Sequence, residues 1–251
     1  MKLTKTHKQR IKDALVTTLF LSQLAIVGCG GGDNWAPTSH IAFVDYTTSC
    51  NTMDEFNREY VKKRIMSIAE KLQNKDELVV YPIHAYTESA SPIINPIRLP
   101  ILKGDLGDSK RKKEWKIALG SEIDKVLDYQ FSAQVLAGTN VFAAIRKVNR
   151  SIKNNTKVQL HFISDMVHEM NDISFKTVFP DIEKLEMHAL AVEMAKKYCP
   201  SQSLKDINVT IYLPGRPSGG DMEPLYYTVN CFWEEFFSNA GTSVKIRELK
   251  A

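Results

Sequence analysis

Ile41-Ala42-Phe43-Val44-Asp45-Tyr46-Thr47-Thr48-Ser49 is the stretch on which the fold turns. Four apolar residues in a row, with no polar alternation, read as a strand buried on both faces. The chain then becomes polar at Asp45, and hydroxyl side chains follow at Thr47 and Ser49. Thr52-Met53-Asp54-Glu55 comes next and reads as a capping box: the Thr52 hydroxyl accepts from a first-turn amide while Glu55 reaches back. Phe56, Tyr60, Ile65, Ile68, Ala69 and Leu72 then mark a helix to about Gln73. Strand, polar loop and capped helix form the opening unit of an α/β fold.

The alternation continues outward from there. Leu78 to Tyr86 is strand-like, and Pro82 within it predicts an edge or an irregularity. Residues 88–104 are proline-rich and poor in charge, which predicts an extended edge or a hairpin. A long helix is expected from Asp108 to about Tyr129. Its Lys110-Arg111-Lys112-Lys113 run reads as a solvated face. A shorter helix spans Asn140 to Ile152. Val158 to Ile163 is the next strand and ends at Ser164-Asp165. Ile182 to Tyr198 is helical, Ile207 to Leu213 a strand, and residues 214–220 a loop without a P-loop lysine. Glu223 to Asn239 is a helix whose aromatic stripe (Tyr226, Tyr227, Phe232, Trp233, Phe236, Phe237) reads as core. Ser243 to Arg247 is a last short strand. Strands alternating with helices predict a doubly wound, mainly parallel central sheet with helices on both faces.

Composition sets outer limits. The chain has 251 residues, 43% of them hydrophobic and 25% charged, which excludes a disordered or collagen-like chain. Five of the 33 Lys and Arg and one of the 29 Asp and Glu fall in residues 1–28, which leaves 28 of each sign in the remainder. A body neutral overall argues against a broad nucleic-acid surface. No run of 18 apolar residues exists, so no full transmembrane helix is expected. Residues 1–13 are basic and polar, and residues 14–28 form an apolar stretch of signal-peptide length. Ile26-Val27-Gly28-Cys29 resembles the bacterial lipobox. That resemblance implies cleavage after residue 28 and acylation of Cys29, and two or three acyl chains hold a soluble domain on a membrane. Residues 29–38, with Gly30-Gly31-Gly32-Asp33-Asn34, read as a flexible tether, and residues 39–251 as one domain. In a Gram-negative host, Gly30 rather than Asp after Cys29 implies the outer membrane, facing the periplasm. Cys50, Cys199 and Cys231 remain, so at least one is unpaired within a monomer.

Three segments bring hard oxygen donors to strand or helix ends: Asp45 to Ser49, Gly138-Thr139-Asn140, and Ser164-Asp165. In an open α/β sheet, ligands sit beyond the carboxyl ends of the strands, at the topological switch point. If the first strand and the one ending at Asp165 are neighbours, both carboxylates meet there. Two carboxylates and three hydroxyls suit magnesium or manganese. No Cys/His cluster has zinc-ligand spacing.

Asp45-x-Thr47-x-Ser49, then Gly138-Thr139-Asn140, then Ile163-Ser164-Asp165, over residues 39–248, resembles the von Willebrand factor type A domain and the integrin inserted domain. The resemblance implies a metal-ion-dependent adhesion site. Thr47, Ser49 and Thr139 would offer hydroxyls to the metal, and Asp45 and Asp165 would bind directly or through water. Two departures stand out: Thr47 replaces the family's frequent Ser, and Met166 replaces a frequent Gly. The implied function is a membrane-anchored module that captures an Asp or Glu of a protein partner on the metal, with Tyr46, Asn140, Met166 and His168 as the contact rim.

Each segment also has a plain structural use. Ser49 and Thr52 can cap the first helix, Thr139 can cap the next one, and Asp165 can be a buried, hydrogen-bonded carboxylate. Two other functions compete. One is a magnesium-dependent phosphohydrolase of haloacid-dehalogenase type, with Asp45 attacking phosphate. That chemistry puts a second Asp where Thr47 stands. The other is a structural envelope protein with an empty site. His84, His161, His168 and His188 are scattered, which favours core or surface roles over catalysis.

Overall fold

The computed structural model describes residues 37–47, 55–73, 75–100, 104, 107–128, 137–151, 157–170, 172–200, 203–214 and 223–247. The expected leader, Cys29, Ser49, the capping-box side chains and the loop after Pro214 lie outside these residues.

β1 (Thr38–Asp45) is buried along nearly its whole length because it is enclosed on every side. β2 (Glu77–Ile83) lies parallel to it on one side and β4 (Lys157–Ile163) on the other. Its side chains alternate between two cores. Ile41 and Phe43 pack with α3 (Val141–Ser151), α4 (Lys184–Tyr198) and α5 (Glu223–Asn239). Ala42 and Val44 pack with α1 (Glu55–Ala69) and α2 (Asp108–Asp128). A strand with two apolar faces shows no alternation, and so the run Ile41–Val44 is continuous.

The sheet has six strands in the order β3-β2-β1-β4-β7-β8, with β3 (Ile94–Arg98), β7 (Asn208–Tyr212) and β8 (Val244–Arg247). All neighbours are parallel except β3, which runs antiparallel to β2 at one edge. This is the doubly wound sheet expected, flanked by helices on both faces. The chain builds outward from β1 through β2 and β3, then returns to place β4 on β1's other side. The switch point therefore lies between β1 and β4, where Val44 is in register with Ile163.

Pro82 was expected to mark an edge or an irregularity; β2 is an interior strand, and its pairing with β3 is irregular, with a register shift between Leu78 and Val80. Ile83 O accepts from Tyr46 N on the β1 side, while Val80 O accepts from Ile93 N on the β3 side. Alternation then turns the Pro82 nitrogen toward β3, whose last partner in the register is Val80. The missing N–H thus falls where no ladder continues. The 88–104 segment resolves into β3 as the extended edge. A short hairpin, β5 (Glu169–Met170) and β6 (Ile173–Ser174), follows β4 and had no sequence signal of its own. It leads into one helical turn at Phe175–Val178.

The aromatic stripe of α5 is core at Phe232, Trp233, Phe236 and Phe237, all fully buried. Tyr227 departs from that expectation, with 71% of its surface exposed. The basic run at the start of α2 is largely solvated, as expected, at Lys110, Lys112 and Lys113.

Candidate metal centre

Asp45 ends β1 and is fully buried. A buried carboxylate is costly unless hydrogen-bonded, and the surrounding loops supply the donors. Its Oδ1 accepts from Thr47 N at 2.9 Å and from the Thr47 hydroxyl at 2.6 Å. Its Oδ2 accepts from Ser164 Oγ at 2.7 Å, across the switch point. Ser164 Oγ also accepts from Met166 N at 2.8 Å. Hydroxyls that give their hydrogens to Asp45 present lone pairs, not hydrogens, in their other directions.

The third loop is held from two sides. Asp165 Oδ1 accepts from Val167 N at 3.0 Å, an Asx turn. Met166 has φ 61°, the left-handed conformation for which glycine is better suited. Holding an ordinary residue there costs about 1 kcal/mol. Burial of the Met166 side chain and a bond from Trp233 Nε1 to Met166 O, at 2.9 Å, hold it in place. Met166 thus takes the backbone conformation that Gly suits, and the loop keeps its turn.

The middle loop is locked to the third. Thr139 N donates to Glu169 O at 3.0 Å, and Glu169 N to Thr139 O at 2.9 Å. Gly138 permits this approach, because an added Cβ would lie 2.7 Å from Glu169 O. Asn140 Oδ1 accepts from Ala143 N at 2.9 Å and so caps α3. Thr139 is therefore not the cap that it could have been on sequence grounds. Its hydroxyl is fully buried and has no hydrogen-bond partner among the described residues. A buried hydroxyl left so costs about 1–3 kcal/mol.

Asp45 and Thr47 are thus joined directly, and Asp165 and Thr139 lie on loops at the same carboxyl end of the sheet; Ser49 lies outside the described residues. Ser164 was quoted in the sequence motif but not counted among the ligands. Its signal was its place between a strand end and Asp165. The contact rim needs correcting. Tyr46, Met166 and His168 are buried, and Tyr46 OH donates to Val126 O at 2.5 Å. Asn140 alone of the four is half-buried. Residues next to the ligands are drawn into the two cores by the helices, Tyr46 against α2, His168 against α3 and Met166 against α5. Among the described residues, no group of three His, Cys, Asp or Glu is placed to hold a metal, so any ion here depends on hydroxyls.

His84, His168 and His188 are structural in position. His168 packs edge-on against Phe142, with ring centroids 4.7 Å apart. Burial lowers its pKa to about 4, and that of His84 likewise to about 4. His188 is exposed and pairs with Glu235 at 3.1 Å. His168 is neutral in the fold but takes a proton in the unfolded chain below about pH 6.5. Its stabilising contribution is full above that pH and is lost as the pH falls toward 4. By pH 5 the loss should reach roughly 2 kcal/mol from His168 alone. Thermal melts between pH 7 and 5 should show the decline, and His168→Phe should make it shallower, leaving the shares of His84 and His161.

No protein-family model matches the chain, and no curated protein matches it. Solved structures are similar to it. One is the ArnB paralog VWA2 from Sulfolobus acidocaldarius, at 12% identity and TM-score 0.41, covering 85% of this chain and 42% of that one. Another is a von Willebrand factor type A protein from Catenulispora acidiphila, at 8% identity and TM-score 0.43, covering 86% and 39%. A third is the pilus adhesin SpaC from Lactobacillus rhamnosus GG, at 12% identity and TM-score 0.45, covering 85% and 28%. This chain therefore spans less than half the length of each.

Proposed function

We propose that this chain is a membrane-anchored binding module that holds magnesium or manganese at the centre just described and captures an acidic group of a partner protein. The observation that carries this reading is the Thr139 hydroxyl, fully buried and without a partner among the described residues, on a loop fastened to the one that bears Asp165. Thr47, Thr139 and Ser49 would offer hydroxyl oxygens, and Asp45 and Asp165 would bind directly or through water. The donor set suits a hard cation that keeps some waters. When bound, the ion supplies a Lewis acid with a position open to an incoming carboxylate. Asp45 and Ser164 orient the hydroxyls, and the burial of Asp45, Thr47 and Thr139 strengthens charge interactions there. Attachment would be through acylated Cys29.

The phosphohydrolase reading is less well supported. Both Asp45 oxygens accept hydrogen bonds and the residue is fully buried, which is a poor arrangement for attack on a phosphate.

Thr139→Val separates a ligand from a structural hydroxyl. Valine keeps the shape and removes the orphan oxygen, so the chelated protein should be as stable as wild type or up to about 1 kcal/mol more stable. For a site of roughly millimolar affinity, about 10 mM magnesium should stabilise wild type by about 1.4 kcal/mol, and the variant by none of it. A magnesium-dependent rise in Tm that survives in the variant would place the ion elsewhere. The capture step is tested separately: a membrane partner retained by wild type should be released by chelator, and retention unaffected by chelator would sink the adhesion mechanism.

A further inference from the structure

A groove of about 240 Å³ opens between the end of α1 and the face of strands β1, β4, β7 and β8, away from the metal-centre loops. Two histidines form its floor. His40 Nδ1 and His161 Nε2 are 3.2 Å apart, and their rings stack within 4° of parallel. The other nitrogen of His40, Nε2, faces Asp76 Oδ2 at 3.9 Å. Asp76 is itself fixed, accepting from Thr38 N at 2.8 Å and from Gln73 N at 2.9 Å.

This chain of contacts sets the tautomers. With the His40 hydrogen assigned to Nε2, the nitrogen that faces the Asp76 carboxylate, Nδ1 is left to accept. His161 then donates from Nε2 and is left with a lone pair on Nδ1. That atom is buried without a hydrogen-bond partner among the described residues, in a side chain whose residue is 6% exposed and lines the groove. Burial, with Lys71 and Arg247 adding positive charge nearby, keeps His161 neutral, its pKa lowered to about 3.

Lys71, Lys245 and Arg247 also line the groove, and none of them forms an ion pair among the described residues. Lys245 is in register with Thr210, and Arg247 with the buried Tyr212. Paired residues of parallel strands project from the same face, so both cations point to the His161 side of the sheet. A site with cations around a bare lone pair repels metal ions. It wants an anion, and that anion must also donate a hydrogen.

We infer that this groove binds an oxyanion carrying a hydroxyl hydrogen, of which hydrogen phosphate is the smallest example, with its charged oxygens on Lys71, Lys245 and Arg247 and its hydroxyl donating to His161 Nδ1. A groove of about 240 Å³ also admits an organic phosphate.

Inorganic phosphate and sulfate distinguish this site from a simple basic patch, because both are tetrahedral dianions near pH 7.5 and only phosphate keeps a hydrogen. Calorimetric titration of the purified protein with chelator present keeps the metal centre out of the result. Phosphate should bind at least ten-fold tighter than sulfate. The double variant Lys245→Glu/Arg247→Glu, on an exposed edge strand, should weaken phosphate at least ten-fold. Lys71→Ala, in the turn after α1, is an independent second variant and should weaken it too. His161→Gln should bring the two anions to similar affinity. No phosphate binding, equal affinity for sulfate in wild type, or unchanged phosphate affinity in both cation variants would overturn the assignment.

Discussion

Trp233→Ala should lower stability by about 3–5 kcal/mol, the largest loss expected from a single substitution in this chain. Trp233 is fully buried at the centre of the α3–α5 core. Its ring lies 5.1–5.2 Å from those of Phe142, Phe232 and Phe236. Truncation removes these contacts and leaves a cavity that rigid aromatic neighbours cannot fill. It also removes the donor to Met166 O, the carbonyl of the residue held at positive φ between Asp165 and the hairpin. The core loss and the loop loss can be told apart. Trp233→Phe keeps much of the packing but removes the N–H and part of the ring, so it should cost about 1–3 kcal/mol. If the third loop depends on this bond, Trp233→Phe should also weaken magnesium binding. Urea unfolding and metal titration of the two variants measure both effects.

Asp45→Ala should cost about 3 kcal/mol in chelated protein, because three donors lose one buried acceptor group together. Thr47 N, the Thr47 hydroxyl and the Ser164 hydroxyl all converge on it. This makes Asp45 an instructive contrast with Thr139. Both are fully buried at the same end of the sheet, but Asp45 is saturated with hydrogen bonds while the Thr139 hydroxyl has none among the described residues. Removing the first should hurt the fold and any metal site together. Removing the second should hurt only the metal site. Asp45→Asn keeps the acceptor at Oδ1 and should fall between wild type and Asp45→Ala in chelated stability. An Asp45→Ala protein as stable as wild type in urea would show that these hydrogen bonds are not what holds the loops.

Much of the architecture was legible along the chain. Ile41 to Val44, without polar alternation, read as a strand covered on both faces, and it is one. The helix ending at Tyr198 and the strands near Val158 and Ile207 followed from pattern and length, to within a residue or two. So did the meeting of the first and third loops, given one assumption: that β1 and β4 are neighbours, which they are. Pro82 left an edge and an irregularity both open, because the choice depends on where the next strand stops pairing, and that is a property of β3.

What only the tertiary structure decided concerns single side chains in the loops. Whether Thr139 or Asn140 caps α3 is a matter of local geometry that both residues fit by type, and the structure gives the cap to Asn140. That Ser164 completes Asp45 depends on a 2.7 Å contact between residues 119 positions apart. That Tyr46, Met166 and His168 are buried rather than on a rim depends on α2, α3 and α5 closing over the strand ends. Periodicity reports which face of one element is apolar. It carries no information about an irregular loop, whose exposure and hydrogen bonding are set by whichever distant segments pack against it.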